Sequence, residues 1–209
     1  MTNSLTERIF PKADQEIALD AQSRLWLWRS PEGLPEQLAT HLQQALPWEQ
    51  PEIQIYGRWH RIPRLQCWCG DPGADYRYSG QALPRADWTP PLQQLRQLTI
   101  SLTGHPYNSA LLNLYRHGDD AMGWHADDEP ELGPEPWIAS WSLGQSRDFV
   151  FRAKGASRIG ERVTLNNGDL LLMSPAVQKF WQHALPRRKR LKDWRINLTF
   201  RQIQTPTLR

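Results

Sequence analysis

Apolar positions along the chain change their period near its middle. Leu34, Leu38, Leu42 and Leu46 recur at every fourth residue, the spacing that lines up side chains on one face of an α-helix. Ser30 offers a capping oxygen ahead of this stripe and Pro47 ends it. A second helix is predicted after Trp88, with Thr89 as cap, Pro90 and Pro91 in its first turn, and Leu92, Leu95, Leu98 and Leu102 as its apolar face. From Ser109 onward the apolar runs shorten. Strands are predicted at 110–115, 137–143, 147–152, 161–166, 169–173, 179–185 and 194–202. Turn signals at His117-Gly118-Asp119, Leu143-Gly144-Gln145 and Asn166-Asn167-Gly168 separate several of them. Helices first and short strands after imply a mainly β fold with flanking helices, a jelly roll with N-terminal helices buttressing one face.

Outside these elements the pattern is weaker. Residues 1–24 are polar and mixed and are expected to form a poorly ordered arm, with 25–209 as a single domain. Ile53–Ser79 is rich in Trp, Tyr, Arg and Pro, and irregular strands and exposed loops are predicted there. A length of 209 residues suits one domain with a full core. Cys67 and Cys69 are too close for an unstrained disulfide and lack His partners at zinc spacing, so two free thiols in a reducing cytosol are expected. No apolar run reaches a membrane span and no apolar signal core opens the chain, so a cytoplasmic protein is expected. A net charge of +3 and eleven tryptophans suit a nucleic-acid partner without singling it out. No motif for a protein partner is visible, and a monomer is expected.

Candidate chemistry lies in the second half. His125-Ala-Asp127 places two donors at i and i+2, which share one side of a strand or of the loop at its end. His183 can reach the same ion from another strand. Two imidazoles and one carboxylate occupy one face of an octahedral ion and leave three positions open, the facial triad of non-haem Fe(II) oxygenases. The same donors also suit a catalytic zinc. A His-x-Asp taken alone is common, and His41, His60, His105 and His117 have no partner at ligand spacing.

Arg195-Ile-Asn-Leu-Thr-Phe-Arg201 narrows the choice. In a strand Arg195, Asn197, Thr199 and Arg201 share one face, while Ile196, Leu198 and Phe200 share the other. Two arginines facing into a small barrel are costly unless anions pair with them. A dicarboxylate such as 2-oxoglutarate would supply both carboxylates. The competing reading is a surface strand with a solvated polar face.

Taken together, several ordered motifs resemble the AlkB family of Fe(II)/2-oxoglutarate dioxygenases. They are Asn113-Leu-Tyr115-Arg116, Gly123-Trp-His125-Ala-Asp127-Asp128-Glu129, Ile138-Ala139-Ser140-Trp-Ser142-Leu-Gly144, Arg147-Asp-Phe149, Gly168-Asp169-Leu-Leu, Trp181-Gln-His183 and the Arg195–Arg201 segment. The resemblance runs from about Ile53 to Ile203 and is closest to the branch that acts on double-stranded DNA. It implies a double-stranded β-helix with its core over 109–203 and a substrate-recognition lid with loops over 53–80. It implies iron held by His125, Asp127 and His183, with 2-oxoglutarate and O2 as co-substrates. Arg195 would pair with the distal carboxylate and Arg201 with the carboxylate beside the keto group. Asn113, Tyr115, Asn197 and Thr199 would be their hydrogen-bonding neighbours. The implied reaction is oxidative demethylation of N-alkylated bases such as 1-methyladenine and 3-methylcytosine, with 2-oxoglutarate converted to succinate and formaldehyde released.

The residues around the triad bear on the substrate. An N-methyl group has no good hydrolytic leaving group, so its removal needs an oxidant, and a base must leave the stack to reach a buried metal. Such methylation leaves a cationic base, which Asp128 and Glu129 could attract. Tyr76, Tyr78 and Ser79 match the family's lid positions, and aromatics there can stack on a flipped base. Tyr56 matches the position of an aromatic wedge in the double-strand branch, which carries Phe there. Arg58, Arg61 and Arg64, with Arg187, Arg188, Lys189 and Arg190 after the last ligand, could grip phosphates without reading sequence. DNA is favoured over RNA as the partner. The same chemistry on RNA or another substrate, and a non-catalytic metal-binding jelly roll that binds nucleic acid, stay open.

Overall fold

The computed structural model describes residues 11–204 apart from 56, 75, 76, 79, 80 and 83, and for 55, 77, 78, 81 and 82 it describes the backbone alone. A hairpin of β1 (Gln15–Ala18) and β2 (Arg24–Trp28) precedes α1 (Leu38–Ala45). Short strands follow: β3 (Glu52–Ile55), β4 (Arg58–Arg61), β5 (Leu65–Gly70), β6 (Arg77–Tyr78), β7 (Gln81–Ala82) and β8 (Arg85–Ala86). After α2 (Pro90–Thr103) come β9 (Ser109–Tyr115), β10 (Met122–His125), β11 (Ile138–Gly144), β12 (Arg147–Ala153), β13 (Glu161–Leu165) and β14 (Leu170–Met173). The short helix α3 (Pro175–Phe180) leads into β15 (Trp181–Leu185), and β16 (Arg195–Arg201) closes the fold.

The strands form two main sheets. The larger runs β1-β2-β14-β11-β16-β9-β5-β8 and the smaller β10-β15-β12-β13. Every pairing is antiparallel except β5 with β8. β16 sits centrally, and its alternation is the one expected from its sequence. Ile196, Leu198 and Phe200 pack with Leu38, Leu42, Leu92 and Leu95 of α1 and α2 on the outer face. Leu25, Leu27, Leu111, Ile138 and Leu171 of the larger sheet's inner face meet Phe151, Val163 and Leu165 of the smaller one. Both faces of the larger sheet are therefore covered, and the polar residues of β16 lie between two layers, with Asn197 part-buried and the others buried. This is the jelly-roll sandwich with helices on one face that the sequence pattern implies.

Four local expectations change. The α1 stripe is right at Leu38, Leu42 and Leu46, which are all buried, but the helix starts only at Leu38. Pro35 bars the helical conformation to Leu34, Gln37 enters at φ +52°, and Ser30 sits at φ +44° rather than capping. Thr89 holds the cap position of α2, but its side chain makes no capping bond; Gly104 ends the helix in the left-handed region. The described part of the expected poorly ordered arm contains strand β1 on the edge of the larger sheet. The predicted strand 179–185 begins at Trp181, since 179 and 180 belong to α3. Cys67 and Cys69 are free and buried on β5, with their sulfurs 3.9 Å apart. No helix among the described residues is long and apolar enough to cross a membrane.

Candidate functional site

β10 and β15 pair at the mouth of the sandwich, with Met122 opposite Leu185 and His125 opposite His183. Three steps on β10 thus face two on β15, a β-bulge. In a regular strand residues three apart point to opposite faces. The extra residue restores the phase, so Met122 and His125 both line the same cavity. Asp127 enters from the loop just after β10, and its Oδ2 lies 3.9 Å from His183 Nε2. The donor atoms of His125, Asp127 and His183 lie within 4.8 Å of one another, and no other such group of three is found among the described residues.

The protonation states suit metal binding. His125 Nδ1 lies 2.9 Å from the Gly123 carbonyl oxygen. A ring nitrogen beside a carbonyl must be the one that donates, so the Nε2 lone pair is left for a metal. Burial pushes the His183 imidazole down to about 3, with His125 adding to the effect and Asp127 opposing it. Burial also lowers His125. Burial opposes ionisation of Asp127, but the adjacent Arg201 guanidinium holds its carboxyl below the usual range. The site therefore offers two neutral imidazoles and one carboxylate.

β16 forms the opposite wall. Arg201 Nη2 lies 2.5 Å from Asp127 Oδ1, a buried ion pair. Asn197 donates to Ser140 Oγ at 2.7 Å and to the Trp141 carbonyl at 2.9 Å, and accepts from Thr199 Oγ1 at 3.1 Å. Arg195 is 2% exposed. Its Nη2 donates to Ser142 Oγ at 2.8 Å and its guanidinium lies 5.5 Å from the Tyr115 ring centre. It has no carboxylate within ion-pair distance among the described residues, and its Nε finds no hydrogen-bond partner there. Burial depresses this guanidinium to about 10, with Tyr115 opposing and Arg147 adding. An unpaired buried cation of this kind is costly unless an anion completes it.

The expected substrate-facing residues are more scattered. Asp128 is exposed and pairs with Lys154 at 2.8 Å. Glu129 is half-buried at the start of a 3-10 turn, Pro130–Leu132. Arg58 and Arg61 are exposed on β4, where Trp59 is 59% exposed. Arg64 departs from the expected phosphate contact: it is 3% exposed and its Nε donates to Asn113 Oδ1 at 2.8 Å. Among the last basic residues, Arg188 is tied to Asp148 at 2.6 Å. Their loop is folded rather than loose. The Arg188 and Gly118 amides donate to the Gly118 and Leu191 carbonyls, and a Cβ on Gly118 would lie 1.9 Å from the Arg188 oxygen. Arg187, Lys189 and Arg190 line a separate surface hollow with Arg147 and Asp148. Tyr56, Tyr76, Ser79 and the side chain of Tyr78 lie outside the described residues.

Sequence reasoning missed several contributors. Gln178 of α3 is 1% exposed and accepts a hydrogen bond from the Asp127 amide at 3.0 Å, fixing the ligand's backbone. No periodicity marks so short a helix. Ser140 and Ser142 hold Asn197 and Arg195. Their alternation in Ser140-Trp-Ser142 was the available signal for a polar inward face. Arg152 lies 4.4 Å over the Trp124 ring and donates to Gln182 Oε1 at 2.9 and 3.1 Å, tying together the residues that precede both histidine ligands.

A strand sandwich with a two-histidine, one-carboxylate site and a buried anion-seeking arginine defines a class of metal-dependent oxygenases. The match of residues 26–201 to the 2OG-Fe(II) oxygenase superfamily places the chain in that family. Among curated relatives it is 43% identical over 159 residues to DNA oxidative demethylase ALKBH2 of Mus musculus, across 73% of this chain and 66% of that one. It is 42% identical over 158 residues to ALKBH2 of Homo sapiens, across 72% and 60%. Against alpha-ketoglutarate-dependent dioxygenase alkB homolog 3 of Homo sapiens it is 40% identical over 171 residues, across 78% and 59%. The aligned part thus spans 59–66% of the length of these relatives. A solved structure of OsALKBH1 shares the fold at a TM-score of 0.58 and 18% identity, covering 90% of this chain and 100% of that one.

The residues fit the group this superfamily uses. His125, Asp127 and His183 supply the donor set for Fe(II). The incomplete partnering of buried Arg195 suits a carboxylate of 2-oxoglutarate.

Proposed function

We propose that the chain demethylates N-alkylated bases such as 1-methyladenine and 3-methylcytosine in DNA, coupled to decarboxylation of 2-oxoglutarate. The observation that carries this reading is the placement of the triad and the β16 wall around one cavity. The names of the relatives support DNA as the substrate class. Fe(II) with 2-oxoglutarate would supply electrons that activate O2, the oxidant, with the N-methyl group as the second two-electron donor. One oxygen atom ends in succinate, with loss of CO2, and the other in an N-hydroxymethyl group. That group releases formaldehyde, and its nitrogen keeps the electron pair of the broken N–C bond.

The chain's own residues would hold the reactants. Arg195, braced by Ser142, would receive the distal carboxylate, and Arg201 would meet the carboxylate beside the keto group while keeping Asp127 ionised. Asn113 would donate to the same ligand, with Tyr115, Asn197 and Thr199 shaping its seat. The base would enter past Asp128 and Glu129, under a lid drawn from residues 53–80 that includes Tyr76, Tyr78 and Ser79. A base flipped by Tyr56, with phosphates on Arg58, Arg61, Arg187, Lys189 and Arg190, would complete the complex. Monomeric action in the cytoplasm belongs to the same proposal.

The test is mass spectrometry of methylated duplex DNA, single-stranded DNA and RNA after incubation with Fe(II), 2-oxoglutarate and O2. Loss of the methyl group with matching succinate is expected, most on DNA. Iron binding without turnover on any methylated oligonucleotide would sink the proposal, and turnover confined to RNA would redirect it.

A further inference from the structure

Asn113 presents a carboxamide to the cavity, and which end it presents decides what it can bind. Pairing across the larger sheet sets Gln66 opposite Asn113, and Asn113 opposite Asn197. Arg64, Gln66 and Asn113 are 3%, 1% and 3% exposed. Arg64 Nε lies 2.8 Å from Asn113 Oδ1 and Gln66 Nε2 lies 3.5 Å from the same oxygen. An arginine can only donate, so its neighbour must be the amide oxygen. Turned over, the amide would set an N–H against an N–H and aim lone pairs into the cavity. Gln66 shows a matching constraint: its Oε1 is buried with no hydrogen-bond partner among the described residues. Rotating it to seek one would set oxygen against oxygen at Asn113. A buried acceptor left unpartnered in this way is a recognised cost, and here it accompanies a second donor to the same atom.

We propose that Arg64 and Gln66 are positioning residues that lock Asn113 with its Nδ2 toward the cavity, so that the amide is an obligate donor to a carboxylate of the 2-oxo-acid co-substrate. The inference rests on the proposed function, because it takes Asn113 to meet 2-oxoglutarate. It assigns Arg64 to co-substrate selection rather than to phosphate, and it makes the donor character of Asn113 a property of β5.

The experiment measures 2-oxoglutarate affinity by calorimetry on the full chain loaded with Mn(II) under anaerobic conditions, beside Mn(II) affinity itself. Arg64→Met should weaken 2-oxoglutarate by about tenfold, the loss of one well-aimed bond to a charged group. Gln66→Met should do so by roughly threefold, as suits a longer bond, and Arg64→Lys should recover most of the loss. Asn113→Asp, which turns the donor into an acceptor, should bind more weakly than Asn113→Leu. Mn(II) affinity should not move, and in turnover the effect should fall on KM for 2-oxoglutarate and not on kcat. Should Arg64→Met fail to fold, Gln66→Met and the Asp-against-Leu order at position 113 decide. Normal binding in both Arg64→Met and Gln66→Met, with Asn113→Leu impaired, would overturn the orienting role. Normal binding in Asn113→Leu would overturn the amide's contact with the co-substrate. A wild-type chain that takes up Mn(II) but no 2-oxoglutarate would overturn the proposed function, and this inference with it.

Discussion

Arg195 and Arg58 carry the same charge in opposite surroundings. Arg195 is buried between Tyr115 and Ser142 in the middle of the larger sheet, whereas Arg58 is open to solvent on the two-stranded β3–β4 ribbon. The same contrast runs through the whole site. On the inner wall most polar groups have a defined partner and are buried, so charge interactions are strong and a missing partner, as at Arg195 Nε, is expensive. On the rim, pairs such as Asp128–Lys154 and Arg61–Glu52 are exposed on both sides, where an ion pair contributes little and salt screens it. Under the proposed function the inner wall would hold one ligand in one pose, and the rim would hold a polyanion by many weak contacts.

The largest effect should come from the triad. His183→Ala and Asp127→Ala should remove bound iron and bring succinate release to background, checked by metal analysis and product assay; full turnover in Asp127→Ala would refute its role as a ligand. Next, Arg195→Ala should raise the 2-oxoglutarate requirement by roughly 10–100-fold, the range for losing hydrogen bonds to a charged group. An unchanged requirement would place the distal carboxylate elsewhere. On the rim, Arg187→Ala, Lys189→Ala and Arg190→Ala should each weaken duplex binding evenly across sequences. Each should cut the slope of log affinity against log salt by about one, with the 2-oxoglutarate requirement untouched. Arg188→Ala should do less to the slope, because its charge is already spent on Asp148.

The smallest effect asks whether partners can matter without burial. Asp20 lies in the β1–β2 turn, almost wholly outside the core, yet accepts from Trp181 Nε1 at 2.7 Å and from the Gln22 and Ser23 amides at 2.8 and 2.7 Å. The Trp181 bond is the largest influence on its carboxyl; desolvation opposes it, and the Gln22 and Ser23 amides with the Ser23 hydroxyl add to it, so the carboxyl falls from 3.8 to about 2. Its folded value lies below its unfolded one, so its contribution is present above about pH 4 and is lost as pH falls toward 2. Asp20→Asn should flatten that part of the acid unfolding curve, read by fluorescence. An identical curve would mean that the turn is loose in solution.

What could be read from the sequence follows the same division. β16 was legible because its two faces alternate without exception and both are buried, so Arg195 and Arg201 fell on one side by counting. The triad was legible because an i, i+2 pair survives whether it lies in a strand or, as with Asp127, just past one. Arg64 was not, since an arginine among other arginines reads as solvated until β5 is seen paired with β9. Gln178 was not, because six residues of α3 span under two turns and leave no period to detect. The cap at Ser30 failed for a local reason, the proline at 35 inside the apolar stripe.

The bulge in β10 makes insertion and deletion unequal events in this segment. With three steps from Met122 to His125 the strand must absorb one residue to keep both side chains inward. A chain one residue shorter would reach the same phase by ordinary pleating, and could still offer His125 to the cavity at a gentler twist. A chain one residue longer would also keep the face by ordinary pleating over four steps, but the imidazole would then sit two residues out of register with His183 unless a second irregularity restored the pairing. Variation among related chains should therefore trim this stretch before it extends it, and should exchange Trp124 more freely than it changes the count.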